Sequence, residues 1–229
     1  MASAAEQIAP LKTLQSVIFD MDGVIIDSHP AHRKAWREFL LSMDISVSED
    51  ELDFVLDGRK RHEILRHFLG DVSEEQLAAF GRKKDYFFQR ISLEVKPQQG
   101  VLEFIVRLRE KRILLALATS AGNARTTTTL RRLGLLRVFQ TVVTGDDVAE
   151  GKPNSAIYRL ACERLKVEAS NSLAIEDAES GVRAAKSAGL KCLGFATDSA
   201  EEKLRLAGAD CVIKDFAGLS VAKLQDILN

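Results

Sequence analysis

The sequence has little cysteine, no long apolar run and almost no net charge. Its three cysteines, Cys162, Cys192 and Cys211, lie far apart and form no CxxC pair. This usage predicts reduced thiols in a reducing compartment. No apolar stretch approaches the roughly 18 residues that a membrane span needs, and the N-terminal residues lack the basic start and apolar stretch of a secretory signal. We therefore expect a cytoplasmic protein without a membrane partner.

The charges nearly cancel, since 32 basic and 33 acidic residues leave a formal charge of -1. Such a balance gives no electrostatic footprint for nucleic acid. The GxGxxG turn that is typical of dinucleotide-binding domains is also missing after the first predicted strand. Small molecules are the expected partners, and we expect the protein to act on them as a monomer.

Apolar spacing divides the chain into two kinds of segment. With 229 residues, 46% of them apolar, the chain is long enough for a sizeable core with an insertion. A strand is predicted over 16–20, followed by helices over 31–43, 61–69 and 73–91. From Pro97 onward, short apolar strands alternate with helices, which predicts a parallel sheet covered on both faces.

The expected fold is therefore an α/β protein. A Rossmann-like parallel sheet core carries an all-helical domain, which is inserted after the first strand. The predicted boundaries give a first part of the core over residues 1–29, the helical insertion over 30–96 and a second part of the core over 97–229.

Polar side chains stand where the predicted strands end. In open parallel sheets, ligands bind beyond the carboxyl ends of the strands, so residues at these ends are expected to meet at one edge. Lys152 adds an ammonium group just before a further helix. The strand-end residues are Asp20 after the first strand, Thr119 and Ser120 after ILLALA, and Glu176 and Asp177 after SLAI.

Acids, a hydroxyl and an ammonium group at one edge suit phosphoryl transfer, in which a metal and a cation offset the charge of the oxygens. Hard carboxylate oxygens favour Mg²⁺. Asp20 can then be the nucleophile, and Asp22 can protonate the leaving oxygen and later activate water. Thr119 would hold the transferring phosphoryl oxygens, and Lys152 would pair with the phosphate and the nucleophile.

The ordered stretches DMDGV, ATS, GKP and EDAESG resemble the four motifs of the haloacid dehalogenase superfamily, specifically its aspartate-nucleophile phosphatases and phosphomutases. The resemblance runs from about Phe19 to Phe195. It implies that the helical insertion closes over the site. The roles it implies are Asp20 as nucleophile, Asp22 as acid and base with its backbone carbonyl on Mg²⁺, Thr119 and Asn123 near the phosphate, Lys152 as the lysine of the third motif, and Glu176 and Asp177 at the metal.

Within this superfamily the cap resembles that of β-phosphoglucomutase and related sugar phosphatases. In the mutase, the positions that match His32 and Lys83 couple cap closure to proton transfer, and the position that matches Arg61 binds the distal phosphate. One departure concerns the second motif, where the mutase has a Ser and a Lys and this chain has Ala121 and Gly122. Apart from this departure, the resemblance implies that the substrate is bound by His32, Arg61, Lys83, Ser120 and Asn123.

The leading hypothesis is a Mg²⁺-dependent phosphatase that hydrolyses small phosphorylated metabolites, such as sugar phosphates, through an aspartyl phosphate. The alternative enzyme is a β-phosphoglucomutase, which would pass the phosphoryl group to a second substrate hydroxyl instead of water. A noncatalytic receiver-like switch also uses acids, a hydroxyl and a lysine around an aspartate. That unit is shorter, however, and lacks a large insertion after the first strand. A protein that keeps the fold without catalysis is a further alternative.

Overall fold

A parallel sheet forms the centre of the computed structural model, which describes residues 12–196 and 200–229. Its strand order is β3-β2-β1-β4-β5-β6, and each neighbouring pair is parallel. Because the order reverses beside β1, the carboxyl ends of β1 and β4 border a crevice. The strands are β1 (Ser16–Phe19), β2 (Leu114–Ala118), β3 (Thr141–Val143), β4 (Ser172–Glu176), β5 (Lys191–Phe195) and β6 (Cys211–Ile213).

Helices cover both faces of the sheet and form the cap. None of the helices in the described ranges has the length and apolarity needed to cross a membrane. The α-helices there are α1 (His29–Leu41), α2 (Arg61–Leu69), α3 (Glu74–Ile91), α4 (Val101–Glu110), α5 (Asn123–Arg132), α6 (Ala156–Leu165), α7 (Glu179–Ser187), α8 (Glu201–Leu206) and α9 (Val221–Leu228). Short 3₁₀ helices span Glu51–Leu56, Ser92–Glu94 and Ala169–Asn171.

The continuous apolar strands are buried on both faces. Val17 and Phe19 of β1 pack in one core cluster with α4, α5 and α9, while Ile18 packs in a second cluster with α6, α7 and α8. The alternation follows from the two-residue period of a strand, which sends neighbouring side chains to opposite faces. Such strands need helices on both sides, which explains why the pattern from Pro97 onward alternates strand and helix.

The cap has an apolar core of its own. Trp36 and Phe39 of α1 pack against Leu65 of α2 and Leu77 of α3. Ser73 caps α3 through a reciprocal capping box, in which its hydroxyl accepts from the backbone of Gln76 and the Gln76 side chain accepts from the backbone of Ser73. The SEEQ pattern predicts this helix start because it satisfies two amide groups that the helix cannot pair itself.

The predicted fold class is confirmed, with small differences at element ends. α2 has the predicted bounds, whereas α1 begins at His29, two positions before the predicted start, because Pro30 is tolerated in the first turn of a helix. The sequence also predicts a strand over 138–143, but β3 covers only Thr141–Val143 because residues 135–138 form a turn, closed by the bond from the Val138 amide to Leu135 O. The division at 1–29, 30–96 and 97–229 stays a prediction, and its residues 1–11 lie outside the described ranges.

The cap meets the core through the segment between the Glu51–Leu56 turn and α2. Ser120 Oγ donates to Gly58 O (2.5 Å), and the Ser180 amide donates to Asp57 Oδ1 (3.1 Å). Lys60 Nζ donates to Val148 O (2.5 Å) and to Ala149 O (3.2 Å). These bonds hold the cap over the carboxyl edge of the sheet.

Candidate active site

Asp20 stands directly after β1 and is held at the edge of the sheet by its backbone. Its amide continues the ladder by donating to Ile175 O of β4 (3.0 Å), so the side chain leaves the sheet at a fixed point. The carboxylate is buried, and Oδ1 accepts from Lys152 Nζ at 2.5 Å. Burial raises the pKa of Asp20, with Glu176 and Asp22 acting in the same sense, and Lys152 opposes the rise. An ammonium group within this distance offsets the carboxylate charge that a nucleophile must carry.

Lys152 is fully buried between two carboxylates. Its Nζ donates to Glu176 Oε1 (2.6 Å) and to Ala118 O (3.1 Å), in addition to Asp20. Burial alone would lower the pKa of this lysine, but the attraction of the Asp20 and Glu176 carboxylates is the stronger effect and raises it. Lys152 therefore holds its proton more tightly than a free lysine does and is charged at neutral pH.

Tyr158 of α6 supports this ion network and was not predicted from the sequence. Its hydroxyl donates to Glu176 Oε1, and Lys152 Nζ lies 5.4 Å from the centre of its ring. The tyrosine is fully buried, so its position is set by core packing. A signal was present in its spacing, because Tyr158 follows Lys152 by six residues and shares the buried face of α6 with Ile157 and Ala161.

The residues for a divalent metal lie beside this network. Carboxylate oxygens of Asp20, Glu176 and Asp177 come within 4.8 Å of one another. Asp177 Oδ2 is buried and accepts no well-formed hydrogen bond from the described residues, although it pairs with His29 Nε2 at 2.7 Å. Three carboxylates this close together offer the hard oxygen ligands that Mg²⁺ prefers.

His29 was also missed by the sequence reasoning. Burial tends to lower its pKa, but Asp177, helped by Asp22 and Asp27, raises it to about 9. The imidazolium thus carries a positive charge beside the metal ligands. Its position in the first turn of α1, directly after the DMDG stretch and its loop, was the available signal.

Asp22 turns its side chain away from this carboxylate cluster and toward the cap. Its Oδ1 accepts from Ser28 Oγ (2.7 Å) and from Arg125 Nη1 (2.9 Å), and it lies 3.3 Å from His32 Nε2. Arg125 Nη2 donates to the other oxygen. Burial would raise the pKa of Asp22, but Arg125 and then His32 lower it well below its usual range. The Asp22 side chain is therefore ionised here and lies outside the three-carboxylate cluster.

His32 links Asp22 to the cap helix α3. Its ring stacks on Phe88 with 4.3 Å between ring centres, and its Nδ1 lies 3.3 Å from Lys84 Nζ. Burial and the neighbouring Lys84 charge lower the pKa of His32 to about 3, although Asp22 opposes this. A neutral imidazole therefore bridges an anion and a lysine.

Lys83 does not reach the cavity, and Lys84 does. Lys83 Nζ donates to Ser42 O (3.3 Å) and lies 3.5 Å from Met43 Sδ, on the far side of α3. One step along an α-helix turns the side chain by about 100°, so neighbouring lysines face different surroundings. The predicted Arg61 does line the cavity, where its guanidinium pairs with Asp85.

The residues of the second motif are divided between the core, the cap and the solvent. Thr119 is buried, its amide donates to Val143 O (3.0 Å) and its hydroxyl accepts from the Ala121 amide (3.2 Å). Ser120 is bonded to the cap. Asn123 is exposed at the start of α5, where its side chain accepts from Thr127 Oγ1 (3.2 Å), so the structure does not bring it to the cavity.

The core and the cap enclose a cavity of about 490 Å³. This volume is in the range of roughly 300–1,000 Å³ that is usual for small-molecule sites. Charged groups of both signs line it. Its walls include Asp20, Asp22, Thr119, Ser120 and Arg125 from the core and His32, Trp36, Arg59, Arg61 and Lys84 from the cap.

The sequence is similar to known proteins over most of its length. The sequence matches the haloacid dehalogenase-like hydrolase family over residues 17–195. It is 34% identical over 224 residues to the phosphorylated carbohydrates phosphatase of Thermotoga maritima, covering 92% of this chain and 99% of that protein. It is 31% identical over 224 residues to the beta-phosphoglucomutase of Bacillus subtilis, covering 93% and 95%.

A solved structure adds the same result for the fold. The crystal structure of CbbY from Rhodobacter sphaeroides in complex with phosphate superposes with a TM-score of 0.81 at 30% identity, covering 93% of this chain and 99% of that one. The match in sequence spans both parts of the core and the cap between them. The chain belongs to the haloacid dehalogenase-like hydrolase family.

Proposed function

We propose that this protein is a Mg²⁺-dependent phosphatase that hydrolyses small phosphorylated metabolites, sugar phosphates above all, through an aspartyl phosphate. The observation that carries the proposal is the placement of Asp20. Its buried carboxylate follows β1, is paired with Lys152 at 2.5 Å and borders the cavity under the cap. A carboxylate that is fixed, charge-compensated and open to a substrate cavity is what a nucleophile for phosphorus requires.

In the first step, an oxygen of Asp20 attacks the phosphorus while the bond to the substrate oxygen breaks. Asp22, in its protonated form, gives its proton to that leaving oxygen, so that a neutral alcohol departs. Because Asp22 is ionised where it pairs with Arg125 and His32, it must first leave them and take up a proton from solvent. In the second step, Asp22 takes a proton from water, the water oxygen bonds to phosphorus, and the bond to Asp20 breaks to release phosphate.

Lys152 and Thr119 stabilise both steps without forming a covalent bond or transferring a proton. The ammonium group of Lys152 lies at Asp20 and offsets negative charge that collects on the phosphoryl oxygens. Thr119 ends β2 and offers its hydroxyl at the same edge. Asp20 and Asp177, with Glu176 beside them, would hold Mg²⁺, which neutralises phosphoryl oxygens when it is bound.

The relatives support the substrate class. The Thermotoga maritima relative is named for phosphorylated carbohydrates, and the solved CbbY holds phosphate. A cavity of about 490 Å³ suits a sugar phosphate, and cationic side chains on both sides suit its charge. Three free cysteines support the further proposal that the protein acts in the cytoplasm. Action as a monomer stays a prediction.

A β-phosphoglucomutase is the second candidate, favoured by the Bacillus subtilis relative, which matches nearly the whole chain. In that reaction the aspartyl phosphate would pass to a second substrate hydroxyl. Arg61 at the cavity favours this reaction, which uses a substrate with two phosphates. Ala121 and Gly122 weigh against it, because neither has a polar side chain that could bind a phosphate. The partition depends on the access of water, and a difference of about 1.4 kcal/mol in barrier height shifts it tenfold.

The test is phosphate release from a panel of hexose, pentose and triose phosphates, with and without Mg²⁺. We expect Mg²⁺-dependent release that falls at least about 1,000-fold in Asp20→Asn, because the amide cannot form the aspartyl phosphate. Asp44→Asn is the matched control, since Asp44 is exposed in the cap and asparagine tolerates its positive φ of 59°.

The same panel separates the two enzymes. β-Glucose 1-phosphate is supplied with the bisphosphate primer, and glucose 6-phosphate is measured beside free phosphate. Glucose 6-phosphate formation with little phosphate release would make the protein a mutase. Release that persists in Asp20→Asn would overturn the nucleophile assignment.

A further inference from the structure

Each of the three carboxylates at the candidate metal site has one oxygen that is held by the protein. Lys152 Nζ donates to Asp20 Oδ1 (2.5 Å) and to Glu176 Oε1 (2.6 Å). His29 Nε2 pairs with Asp177 Oδ2 at 2.7 Å. Among the described residues, no hydrogen bond reaches the second oxygen of any of the three. Each carboxylate therefore has one oxygen left to offer to a metal.

Glu176 is the most tightly restricted of the three carboxylates. Its Oε1 accepts from Lys152 Nζ and also from the hydroxyl of Tyr158. A carboxylate oxygen has two lone pairs, so the two donors together use both. The carboxylate has little room to turn, because α7 packs on it at Gly181, where a Cβ atom would lie 2.2 Å from each oxygen. Glu176 can thus give a metal only Oε2.

Tyr158 differs from the other two donors because it restricts a carboxylate without adding charge. A phenol hydroxyl is uncharged at neutral pH. The tyrosine is fully buried on α6 and packs in the same core cluster as Ile157 and Ala161, so core packing fixes the position of the hydroxyl. The effect of this hydroxyl on metal binding can therefore be measured separately from the charge of the site.

The number of oxygens that a carboxylate offers separates two hard cations. Mg²⁺ is small, demands nearly octahedral coordination and keeps several waters, so single oxygens from a few carboxylates suit it. Ca²⁺ takes about six to eight oxygen ligands and often uses both oxygens of one carboxylate. A site in which one oxygen of each carboxylate is already bonded to the protein therefore favours the smaller cation.

We propose that Tyr158 is a positioning residue that makes the site select Mg²⁺ over Ca²⁺, because it holds Glu176 Oε1 and leaves one oxygen for the metal. The inference rests on the proposed function, which assigns a divalent metal to these carboxylates. Without the hydroxyl, one lone pair of Oε1 is free, and Glu176 can bind the larger cation with both oxygens. Removal of the hydroxyl therefore strengthens the binding of Ca²⁺ and changes that of Mg²⁺ little.

The experiment is titration calorimetry of the metal-free protein with Mg²⁺ and with Ca²⁺, in the absence of substrate. Tyr158→Phe keeps the buried ring and removes only the hydroxyl. We expect the ratio of Ca²⁺ affinity to Mg²⁺ affinity to rise about 10-fold or more, while the Kd for Mg²⁺ changes less than about threefold. Tyr86→Phe is the matched control, because Tyr86 is the other tyrosine of the chain and is exposed on α3.

Glu176→Gln tests the same point without a change at Tyr158, and so covers the case in which Tyr158→Phe does not fold. The amide oxygen must still accept from Lys152 and Tyr158, which leaves the NH₂ group in the place of Oε2. We expect both affinities to fall by a similar factor, with their ratio within about threefold of the wild-type ratio. A larger loss for Ca²⁺ would show that Ca²⁺ already uses both oxygens of Glu176, and would overturn the inference.

An unchanged ratio in Tyr158→Phe would also overturn the inference. A parallel loss of both affinities would do the same, since the hydroxyl would then only support the structure of the site. The same shift in Tyr86→Phe would show that the change is not specific to Glu176. Failure of the proposed function appears elsewhere, as absent phosphate release by the wild-type enzyme with Mg²⁺. The affinity ratio is measured without substrate, so the two failures are distinguishable.

Discussion

Lys84 is a lysine buried among aromatic rings of the cap. Its Nζ lies 4.7 Å from the centre of the Phe88 ring and 5.2 Å from that of Trp36, and 3.3 Å from His32 Nδ1. Burial lowers its pKa to about 7, and Arg125 and Arg61 act in the same sense. Asp85 and Asp22 oppose the shift without reversing it. The folded protein therefore holds the proton of this lysine more weakly than the unfolded chain does.

The sign of the pH effect follows from this difference. Between pH 7 and 10.5, the two pKa values, the unfolded chain binds a proton at Lys84 that the folded protein has released, so stability rises with pH. We predict that Lys84→Met raises the free energy of unfolding by about 1–3 kcal/mol below pH 7. The cation–π contacts with the two rings offset part of the cost of the buried charge. The gain should shrink as the pH approaches 10.5.

Urea unfolding of the two proteins at several pH values measures this gain. Lys83→Met serves as the control, because Lys83 is half-buried on the same helix and bonded to Ser42 O. It should change the free energy of unfolding by less than about 0.5 kcal/mol at each pH. A loss of stability in Lys84→Met at pH 6 would show that the ring and imidazole contacts outweigh the burial of the charge.

Lys83 and Lys84 illustrate which features of the candidate site could be predicted from the sequence. The buried side of α3 consists of Leu77, Gly81, Lys84 and Phe88, whose spacing of four, three and four residues is helical. This spacing could be recognised in the sequence, and it predicts that Lys84, and not Lys83, lies on the buried side of the helix. The pairing of Arg125 with Asp22 could not be predicted, since the two residues are 103 positions apart and only the folded sheet brings them together. Local periodicity places a side chain on a face, but the fold decides what that face meets.

At the scale of elements, the packing of α7 on the end of β4 positions the metal-side acid. A Cβ atom on Gly181 would lie 2.1 Å from Glu176 Cδ and 2.2 Å from each of its oxygens. Glu176 cannot swing away freely, because Lys152 and Tyr158 both donate to its Oε1. The glycine in the first turns of α7 thus allows the helix to approach this carboxylate closely.

We predict that Gly181→Ala destabilises the protein by about 1–3 kcal/mol, as overpacking in a rigid site does. Ordinary helix propensity gives the opposite sign, since alanine in a helix interior is favoured over glycine by about 1 kcal/mol. Urea unfolding therefore separates the two effects. Gly218→Ala is the control, because a Cβ there would meet no atom within 4 Å among the described residues. A more stable Gly181→Ala protein would show that Glu176 yields at little cost.

Most elements were predictable because their signals are local. The strands of the core are short apolar runs between helices, and α2 and α3 carry the spacing and the capping pattern that define a helix. The strand order was not predictable in detail, since the pairing of β1 with both β2 and β4 joins segments far apart in the chain. The strand-end acids could still be grouped, because every parallel strand delivers its end to the same edge.

At the scale of the whole molecule, catalysis as proposed depends on how the cap sits on the core. The segment from Asp57 to Lys60 makes the hydrogen bonds of the cap to Ser120, Ser180 and the loop at Val148. Lys60 is buried although it bears a charge, and two backbone carbonyls of the core accept from it. Since those carbonyls precede Lys152 by only a few residues, Lys60 connects the cap to the loop that carries the ammonium group at Asp20.

Lys60→Met tests this connection, because methionine keeps the apolar stem of the side chain and removes the donor. We predict that kcat/KM for the best substrate falls roughly 10- to 100-fold, since the cap no longer holds the substrate over Asp20. Amide hydrogen exchange should accelerate in residues 57–60 and 148–152 and stay unchanged in α3, because the cap core does not depend on this bond. Lys34→Met, at an exposed lysine of α1, should leave both quantities as they are in the wild-type protein. If kcat/KM falls while hydrogen exchange stays unchanged in both segments, Lys60 acts through its charge at the cavity and does not hold the cap. The bonds of Ser120 and Ser180 would then be sufficient to hold the cap on the core.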